Sequence, residues 1–102
     1  MRRGEIWWAF TGTKTRPVVL VSRDSHIDTR SMILISPVTT RIRRIEAEVP
    51  LGQEDGLPKP CVANTSSINL VSKTRMIRRI TTLSLAKRDA LDAALRFSLG
   101  LD

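Results

Sequence analysis

Short apolar runs separated by polar turns recur along the chain as far as residue 82. Residues 3–10 are predicted to form a strand, since Ile6, Trp7, Trp8 and Phe10 are too densely apolar for a face open to water. The β-branched run at 18–21, which Pro17 precedes, is typical of a central strand covered on both faces. Further strands are predicted at 32–36, 44–49, 61–64 and 76–82. Turns or loops are predicted at 11–15, 22–30 and 52–60. About six short strands in this space predict a small barrel.

The C-terminal segment has the period of a helix. Ser84 is a suitable N-cap, and Gly100 follows where a helix would end. Asp92 lies four residues before Arg96, a spacing that predicts an ion pair on one helix face. The pattern predicts an α+β fold in which the strands come first and one amphipathic helix packs on the barrel. The residues that recur at steps of three and four are Leu91, Ala94, Leu95, Ser98 and Leu99.

Length and composition are those of one globular domain. The chain has 102 residues, of which 41% are hydrophobic, and we expect a single domain over residues 1–102. The longest apolar run, residues 6–10, is much shorter than the roughly 18 residues that a membrane helix needs. Glu5 and two tryptophans stand where a secretory signal would be aliphatic. We therefore expect a cytoplasmic protein that is not inserted in a membrane.

The net charge of +7 is spread over both halves of the chain, +4 in residues 1–51 and +3 in the rest. Thirteen of the 17 basic residues are arginine, whose planar fork binds phosphate through two hydrogen bonds. These features favour nucleic acid as the partner, and the alternative is a solvated basic surface. Only two Trp and two Phe are present, which disfavours a platform for stacking nucleobases.

Few side chains are suited to proton transfer or metal binding. The single histidine, His26, lies in a predicted loop between Asp24 and Asp28, so it is interpreted as a solvated residue, with a divalent-metal site as the weaker alternative. The single cysteine, Cys61, cannot form an internal disulfide, and its strand position predicts a buried, unreactive thiol. Glycine-rich phosphate loops are absent from the sequence, and no cofactor or metal is expected.

Cleavage of RNA by its own 2′-hydroxyl requires little of the protein besides positive charge and hydrogen-bond donors around the phosphate. Arg16 is a candidate because it ends a turn and immediately precedes the most buried strand. Thr39 follows the third predicted strand, and its hydroxyl can donate to a phosphate oxygen. The alternative is that Arg16 is an ordinary surface arginine and Thr39 caps a strand end.

The sequence resembles the MazF/PemK family of toxin endoribonucleases from bacterial toxin–antitoxin modules. The similarity runs in collinear order through nearly all of residues 2–101. The stretches that carry it are 3–9 (RGEIWWA), 16–24 (RPVVLVSRD), 35–40 (ISPVTT), 56–58 (GLP), 61–64 (CVAN), 73–76 (KTRM) and 79–84 with the following helix.

The resemblance implies a small SH3-like, plasmid-maintenance-toxin β-barrel with a C-terminal helix, working as a homodimer with RNA along the interface. It also implies cleavage of mRNA or tRNA without a metal, leaving a 2′,3′-cyclic phosphate and a 5′-hydroxyl. The family's catalytic arginine and threonine fall on Arg16 and Thr39. An antitoxin with an acidic, disordered segment is expected to occlude the basic groove.

Other residues are expected to contact RNA. Lys14, Thr15, Arg41 and Arg43 flank the two proposed site residues, and Ser67 falls where relatives often carry a contacting amide. A solvated surface is the alternative for the basic members of this set.

Strand alternation adds two expectations for neighbouring pairs. Arg78 and Arg79 are adjacent on a strand, so at most one faces the groove. Trp7 and Trp8 point to opposite sides, one into the core and the other towards the helix or the dimer seam.

The loop at residues 11–15 departs from the family pattern. Many members carry a longer loop there that covers the RNA and includes a carboxylate, whereas this loop has none, so the proton acceptor is unassigned. We hypothesise that the shorter loop leaves the groove open to a folded RNA such as a tRNA stem-loop. The alternative functions are a non-catalytic basic binding module and a gyrase-directed toxin of the same fold.

Overall fold

The computed structural model describes residues 1–101, in which seven strands and two helices alternate with short turns. The predicted α+β class with a C-terminal helix is confirmed, with seven strands in place of about six. Within this part of the chain, a helix long and apolar enough to cross a membrane is not found. The elements are β1 (Glu5–Phe10), β2 (Thr15–Leu20), α1 (Asp24–Thr29), β3 (Met32–Thr39), β4 (Glu48–Leu51), β5 (Cys61–Asn64), β6 (Asn69–Ser72), β7 (Met76–Thr82) and α2 (Leu85–Leu99).

The strands form one bent antiparallel sheet in the order β4-β5-β3-β2-β1-β7, and β6 pairs with the first half of β3. On one edge, β3 pairs with β6 as far as Ile35 and then with β5 from Val38. Pro37 lies at this change of partner and has no N–H to donate. The proline therefore marks the point at which the sheet bends from one strand pair to the next.

The sheet separates two apolar cores. Val18 and Val19 of β2 are both buried, and alternation along the strand sends them to opposite faces, as the sequence predicts. Val19 belongs to the larger core beneath α2, where Leu91 of that helix packs. Val18 belongs to the smaller core, which Ile27 of α1 covers. β2 is thus held rigidly from both sides.

Helix α2 has the predicted boundaries. The Ser84 hydroxyl accepts a hydrogen bond from the Lys87 amide at 3.2 Å, and Gly100 ends the helix with a φ of 67°, in the left-handed region that glycine adopts easily. The predicted pair of Asp92 with Arg96 is wrong. Asp92 instead accepts from Arg3 at 2.7 Å, because the N-terminal segment lies against this face of the helix.

Residues 22–30, which the sequence predicts as a loop, contain helix α1. Its Ile27 is buried in the smaller core, and the Asp24 carboxylate accepts a hydrogen bond from the Arg3 amide at 2.7 Å. A single buried residue in six gives no helical repeat, so periodicity could not reveal this helix.

Four strand predictions also need correction, and one of them is the third strand, which continues to Thr39 beyond the predicted end at residue 36. A strand at 44–49 is wrong, because Arg44 has a φ of 56° and β4 begins only at Glu48. β6 was not predicted, since its four residues are half polar and all at least partly exposed. β1 begins at Glu5 rather than at residue 3, after Gly4 at a φ of 86°, and β2 begins at Thr15, before Pro17.

Candidate active site

Arg16 and Thr39 lie on the neighbouring strands β2 and β3 and line the same pocket. β2 and β3 pair at Val18–Pro37 and Val19–Ser36, and Arg16 and Thr39 each lie two residues beyond the last of these pairs. The two residues that the sequence selected separately are therefore neighbours in space.

Pro17 explains why this end of the sheet is open. The Val21 amide donates to the Leu34 carbonyl of β3 at 3.0 Å, so alternation directs the backbone of residue 17 towards β3 as well. Proline has no N–H to donate there, and the residue pairs between β2 and β3 stop at Val18. The ladder therefore ends before the strand does.

Both residues line one pocket of about 190 Å³ at this opening. Aspartate and glutamate are absent from its lining among the described residues, and so is histidine. An anionic ligand would meet cationic and neutral donors there without carboxylate repulsion. The lining side chains are Trp8, Arg16, Pro17, Val38, Thr39, Thr40, Leu57, Pro58, Lys59 and Cys61.

Arg16 also borders a second, larger pocket of about 580 Å³. Its walls are mostly apolar, with Phe10, Met32 and Leu70 among them, and Arg75 adds a second guanidinium. This pocket, too, has no carboxylate among its described lining residues. Arg16 thus stands between two cavities and makes no ion pair within residues 1–101.

The loop after Thr39 is held by side-chain oxygens. The Thr39 hydroxyl oxygen accepts a hydrogen bond from the Arg41 amide at 3.1 Å. One oxygen of the buried Glu48 carboxylate accepts the amides of Arg43 and Arg44, each at 2.9 Å, while its other oxygen is buried without a partner among the described residues. These bonds fix the backbone of the loop and leave its guanidinium groups free to bind other groups.

The loop at 52–60 is braced by a different buried carboxylate. Asp55 accepts a hydrogen bond from the Gly52 amide at 3.0 Å, and the Lys87 ammonium of α2 lies 3.6 Å from the same oxygen. Lys87 also donates to the Pro50 carbonyl. Since this loop carries Lys59 to the pocket, the brace connects α2 with the candidate site.

Cys61 forms part of the pocket floor but is not a nucleophile. It is buried, and its thiol faces the Leu51 carbonyl at 3.8 Å. Burial raises the pKa of this thiol above the ordinary value of 9.0, and the carboxylates of Asp55 and Glu54 raise it further. The thiolate is therefore disfavoured, and the predicted burial of the cysteine is confirmed.

Residues 2–99 match the family model described as PemK-like, MazF-like toxin of type II toxin–antitoxin system. The chain belongs to this family. The probable endoribonuclease MazF2 of Mycobacterium tuberculosis is 36% identical over 101 residues, which cover 98% of this chain and 99% of that protein. Endoribonuclease MazF9 of the same organism is 32% identical over 115 residues, covering 99% and 98%. The chain is a MazF-type endoribonuclease toxin, as the sequence predicts.

Solved MazF structures share the fold. The Mycobacterium tuberculosis toxin MazF-mt6 aligns with a TM-score of 0.89 and 26% identity, over 96% of this chain and 98% of that one. A mycobacterial endoribonuclease, solved in complex with its cognate antitoxin, aligns with a TM-score of 0.91 over 100% and 97%. Its 24% identity supports the fold alone.

The other predicted RNA contacts do not line either pocket. Lys14 and Thr15 are exposed immediately before Arg16, and Arg41 and Arg43 are exposed on the loop that follows Thr39. Ser67 lines neither pocket, and its hydroxyl accepts a hydrogen bond from the Asn64 amide at 3.3 Å. Four of these five residues are therefore close to Arg16 or Thr39 in the sequence, and Ser67 is not.

The adjacent tryptophans separate as alternation predicts. Trp7 packs on the smaller core and donates to Glu5 at 2.8 Å, whereas Trp8 lines the 190 Å³ pocket, and neither tryptophan contributes to the core beneath α2. Arg79 lies 3.4 Å from Glu5 in an ion pair, and its neighbour Arg78 is exposed.

The weaker metal-site interpretation of His26 is wrong. Asp24 is bonded to the Arg3 amide, and Asp28 pairs with Arg2 at 3.4 Å. Within residues 1–101, clusters of three or more possible metal ligands are not found.

Sequence reasoning missed Trp8, Lys59 and Arg75 as pocket residues. Trp8 could have been placed from the hairpin register, since it lies opposite Pro17, next to Arg16. Lys59 and Arg75 arrive from segments more than 40 residues away in the chain, and no local pattern connects them with Arg16.

Proposed function

We propose that this MazF-type toxin cleaves RNA by attack of the RNA's own 2′-hydroxyl on the adjacent phosphodiester, without a metal ion. The products would be a 2′,3′-cyclic phosphate and a 5′-hydroxyl. The observation that supports this most strongly is the shared pocket of Arg16 and Thr39, lined by cationic and neutral groups and by no carboxylate. Such a site suits a phosphate that gains negative charge as it reacts.

Each residue has a distinct part in the proposed reaction. The Arg16 guanidinium would bind the non-bridging oxygens and stabilise the charge of the phosphorane, since it cannot act as a base. The Thr39 oxygen accepts the Arg41 amide, which leaves its O–H free to donate to the same phosphate. Rigid strands carry both groups, so little reorganisation is needed when RNA binds.

The substrate is proposed to be mRNA or tRNA. Lys14, Thr15, Arg41 and Arg43 would contact the backbone on either side of the scissile phosphate. Ser67 keeps its predicted role only if the bound RNA extends beyond the two pockets. The short turn between β1 and β2 leaves room for a folded RNA, so we expect cleavage of a tRNA stem-loop as well as of unstructured RNA.

Two protein partners are proposed in the cytoplasm, where we expect the toxin to act. An antitoxin with an acidic, disordered segment fits the cationic pockets, as it would compete directly with RNA. A second copy of the toxin fits the apolar outer face of β3 and β6. There Leu34 and Leu70 are register partners, 38% and 56% exposed, with Met32 beside them at 43%.

The test is incubation of the purified toxin with total RNA in EDTA, followed by mapping of both product ends. We expect cleavage with cyclic-phosphate and 5′-hydroxyl ends, and a loss of about 100- to 1,000-fold in rate for Arg16→Ala. Arg30→Ala serves as the control. Arg30 is exposed and precedes β3 in the chain, whereas Thr39 is the last residue of that strand. Intact RNA despite tight binding would contradict the nuclease and indicate a binding module, while gyrase inhibition without cleavage would indicate the other alternative.

A further inference from the structure

The proposed reaction needs a proton donor that Arg16 cannot be. When the phosphodiester breaks, the departing 5′-oxygen takes up the bonding electron pair and must gain a proton. A guanidinium in a protein keeps its proton, so Arg16 can stabilise charge but not transfer a proton. Threonine hydroxyls are likewise hydrogen-bond donors rather than acids at neutral pH.

Among the described residues that line the 190 Å³ pocket, one further side chain is of a type that serves as an acid in enzymes. Cys61 is buried, and its thiol is turned to the Leu51 carbonyl. Trp8 carries an indole N–H that serves only as a donor. The remaining polar group is the Lys59 ammonium, which, unlike a guanidinium, belongs to a side-chain type that enzymes use for proton transfer.

Lys59 stands on a segment with a well-defined backbone. Proline precedes and follows it, which fixes two φ angles and restricts Lys59 itself to extended conformations. Gln53 donates to the Pro58 carbonyl at 3.4 Å, and the Asp55–Lys87 brace holds the start of the loop. Gly56, at a φ of 90°, packs so closely on Thr81 that a Cβ there would lie 3.0 Å from the Thr81 Cβ.

The surroundings of Lys59 also leave its ammonium available. It is exposed at the pocket rim and makes no ion pair within residues 1–101. Lys87, by contrast, is committed to Asp55 and to the Pro50 carbonyl. A lysine without a carboxylate partner, beside the proposed phosphate-binding pair, is placed to serve the departing oxygen.

We propose that Lys59 is the general acid of the cleavage reaction, an inference that rests on the proposed function. The 2′-oxygen forms a bond to phosphorus and releases its proton to solvent water. The bond from phosphorus to the 5′-oxygen breaks, and that oxygen takes a proton from Lys59 Nζ and leaves as the 5′-hydroxyl. The resulting neutral amine regains a proton from solvent, so the enzyme returns to its starting state.

The experiment compares two RNA substrates that differ in one atom. One is an ordinary oligonucleotide with a single cleavage site, and the other carries sulfur in place of the bridging 5′-oxygen at that site. A thiolate is a good leaving group without protonation, so this substrate does not need a general acid. Single-turnover rates are measured for the wild type, Lys59→Ala, Lys59→Arg and Arg16→Ala.

We expect Lys59→Ala to lose about 100-fold on the oxygen substrate and to approach the wild-type rate on the sulfur substrate. Lys59→Arg should bind RNA as the wild type does, lose a similar factor, and recover in the same way, since it keeps the charge but not the transferable proton. Arg16→Ala should be defective on both substrates, because its contribution is charge stabilisation.

Three outcomes would overturn the proposal. An equal defect of Lys59→Ala on both substrates would assign Lys59 to phosphate binding. A wild-type rate for Lys59→Ala on the oxygen substrate would remove it from the reaction, although the proposed nuclease function would still stand. If the wild type left both substrates intact, the proposed function would fail and the inference with it. Thermal melts of all variants show whether a loss of cleavage rate comes from unfolding. If Lys59→Ala is unfolded, the rates of Lys59→Arg on the two substrates decide instead.

Discussion

Two groups of basic residues in this toxin differ in their neighbours rather than in their own chemistry. One group is paired with carboxylates and joins distant parts of the chain. The other group, Arg16, Lys59 and Arg75, borders the two pockets and meets no carboxylate there. The pairs of the first group are Arg2 with Asp28, Arg3 with Asp92, Arg79 with Glu5, and Lys87 with Asp55.

The net charge of +7 does not tell where the chain could bind an anion, but the difference between the two groups does. The excess of basic residues is a property of the whole chain, whereas the cations that border the two pockets lie where acidic residues are lacking among the described residues. The acidic side chains are used elsewhere, to hold the N-terminus, α2 and the loops in place. The location of the carboxylates, more than the location of the arginines, marks the functional surface.

The largest effect is expected from placing a carboxylate in the unpaired group. Thr40 is exposed and lines the smaller pocket, so Thr40→Glu would set an anion beside Arg16 and Lys59. Repulsion of the phosphate should lower kcat/KM by about 100-fold or more, with an unchanged melting temperature. Thr40→Gln, of the same size and without charge, should stay close to the wild type. Equal losses in both variants would show that shape rather than charge is responsible.

Removing a carboxylate from the paired group should affect stability instead. Glu5 is buried and accepts hydrogen bonds from the Trp7 indole, the Arg2 amide and Arg79. Glu5→Gln should lower the free energy of unfolding by about 2 kcal/mol at neutral pH, as measured by urea denaturation. RNA cleavage at a temperature where the variant is folded should be unchanged.

The same variant gives a pH dependence. Burial raises the pKa of Glu5, but hydrogen bonds from Trp7 and the Arg2 amide lower it, and the net pKa lies below the ordinary value of 4.5. The stabilisation is therefore complete above pH 4.5 and is lost as the pH falls through the folded-state pKa. The stability difference between wild type and Glu5→Gln should shrink on acidification, and a constant difference would contradict this.

Glu48 differs from the carboxylates of the paired group, because it accepts hydrogen bonds from backbone amides rather than pairing with a cationic side chain. Glu48→Ala should release the loop that carries Arg41 and Arg43, so that RNA binding must order it again. We expect RNA affinity to fall by about tenfold, with a smaller change in kcat at saturating RNA. Glu48→Gln keeps an oxygen for the two amides and should restore most of the affinity; failure to do so would assign Glu48 a role through its charge.

The smallest effect is expected from the exposed ion pair of Arg2 with Asp28. The side chains of Arg2 and Asp28 are 61% and 54% exposed, so solvent screens their ion pair. Arg2→Ala should change the free energy of unfolding by less than about 0.5 kcal/mol and should leave cleavage unaffected. A marked loss of activity would show that the basic surface used for RNA extends to the N-terminus.

The sequence predicted those parts of the fold that a local pattern encodes. The buried run of β2 and the capped, periodic helix α2 were recognised because each has a distinct hydrophobic pattern. Helix α1 and strand β6 were missed, since one holds a single buried residue and the other holds none. The predicted strand at 44–49 begins only at Glu48, because Arg44 has a left-handed conformation and its amide donates to the Glu48 carboxylate.

The site was predicted in part. Arg16 and Thr39 each border a buried strand, and chemistry selected them before their proximity was known. The Asp92–Arg96 pair failed because helix spacing takes no account of Arg3, which reaches the same carboxylate from the N-terminus. Lys59 could not be connected with the site, because only the fold of the loop at 52–60 brings it there.

Pro17 has a consequence for the kinetics of RNA capture. If hydrogen bonds joined β2 and β3 at this end, they would have to break before RNA could enter, and the rate of breaking would limit association. An imino acid cannot supply the missing N–H, so β2 and β3 have one hydrogen bond fewer to break at this end when RNA enters. We expect the association rate to rise as salt is removed, because the cations of the pockets attract the phosphates.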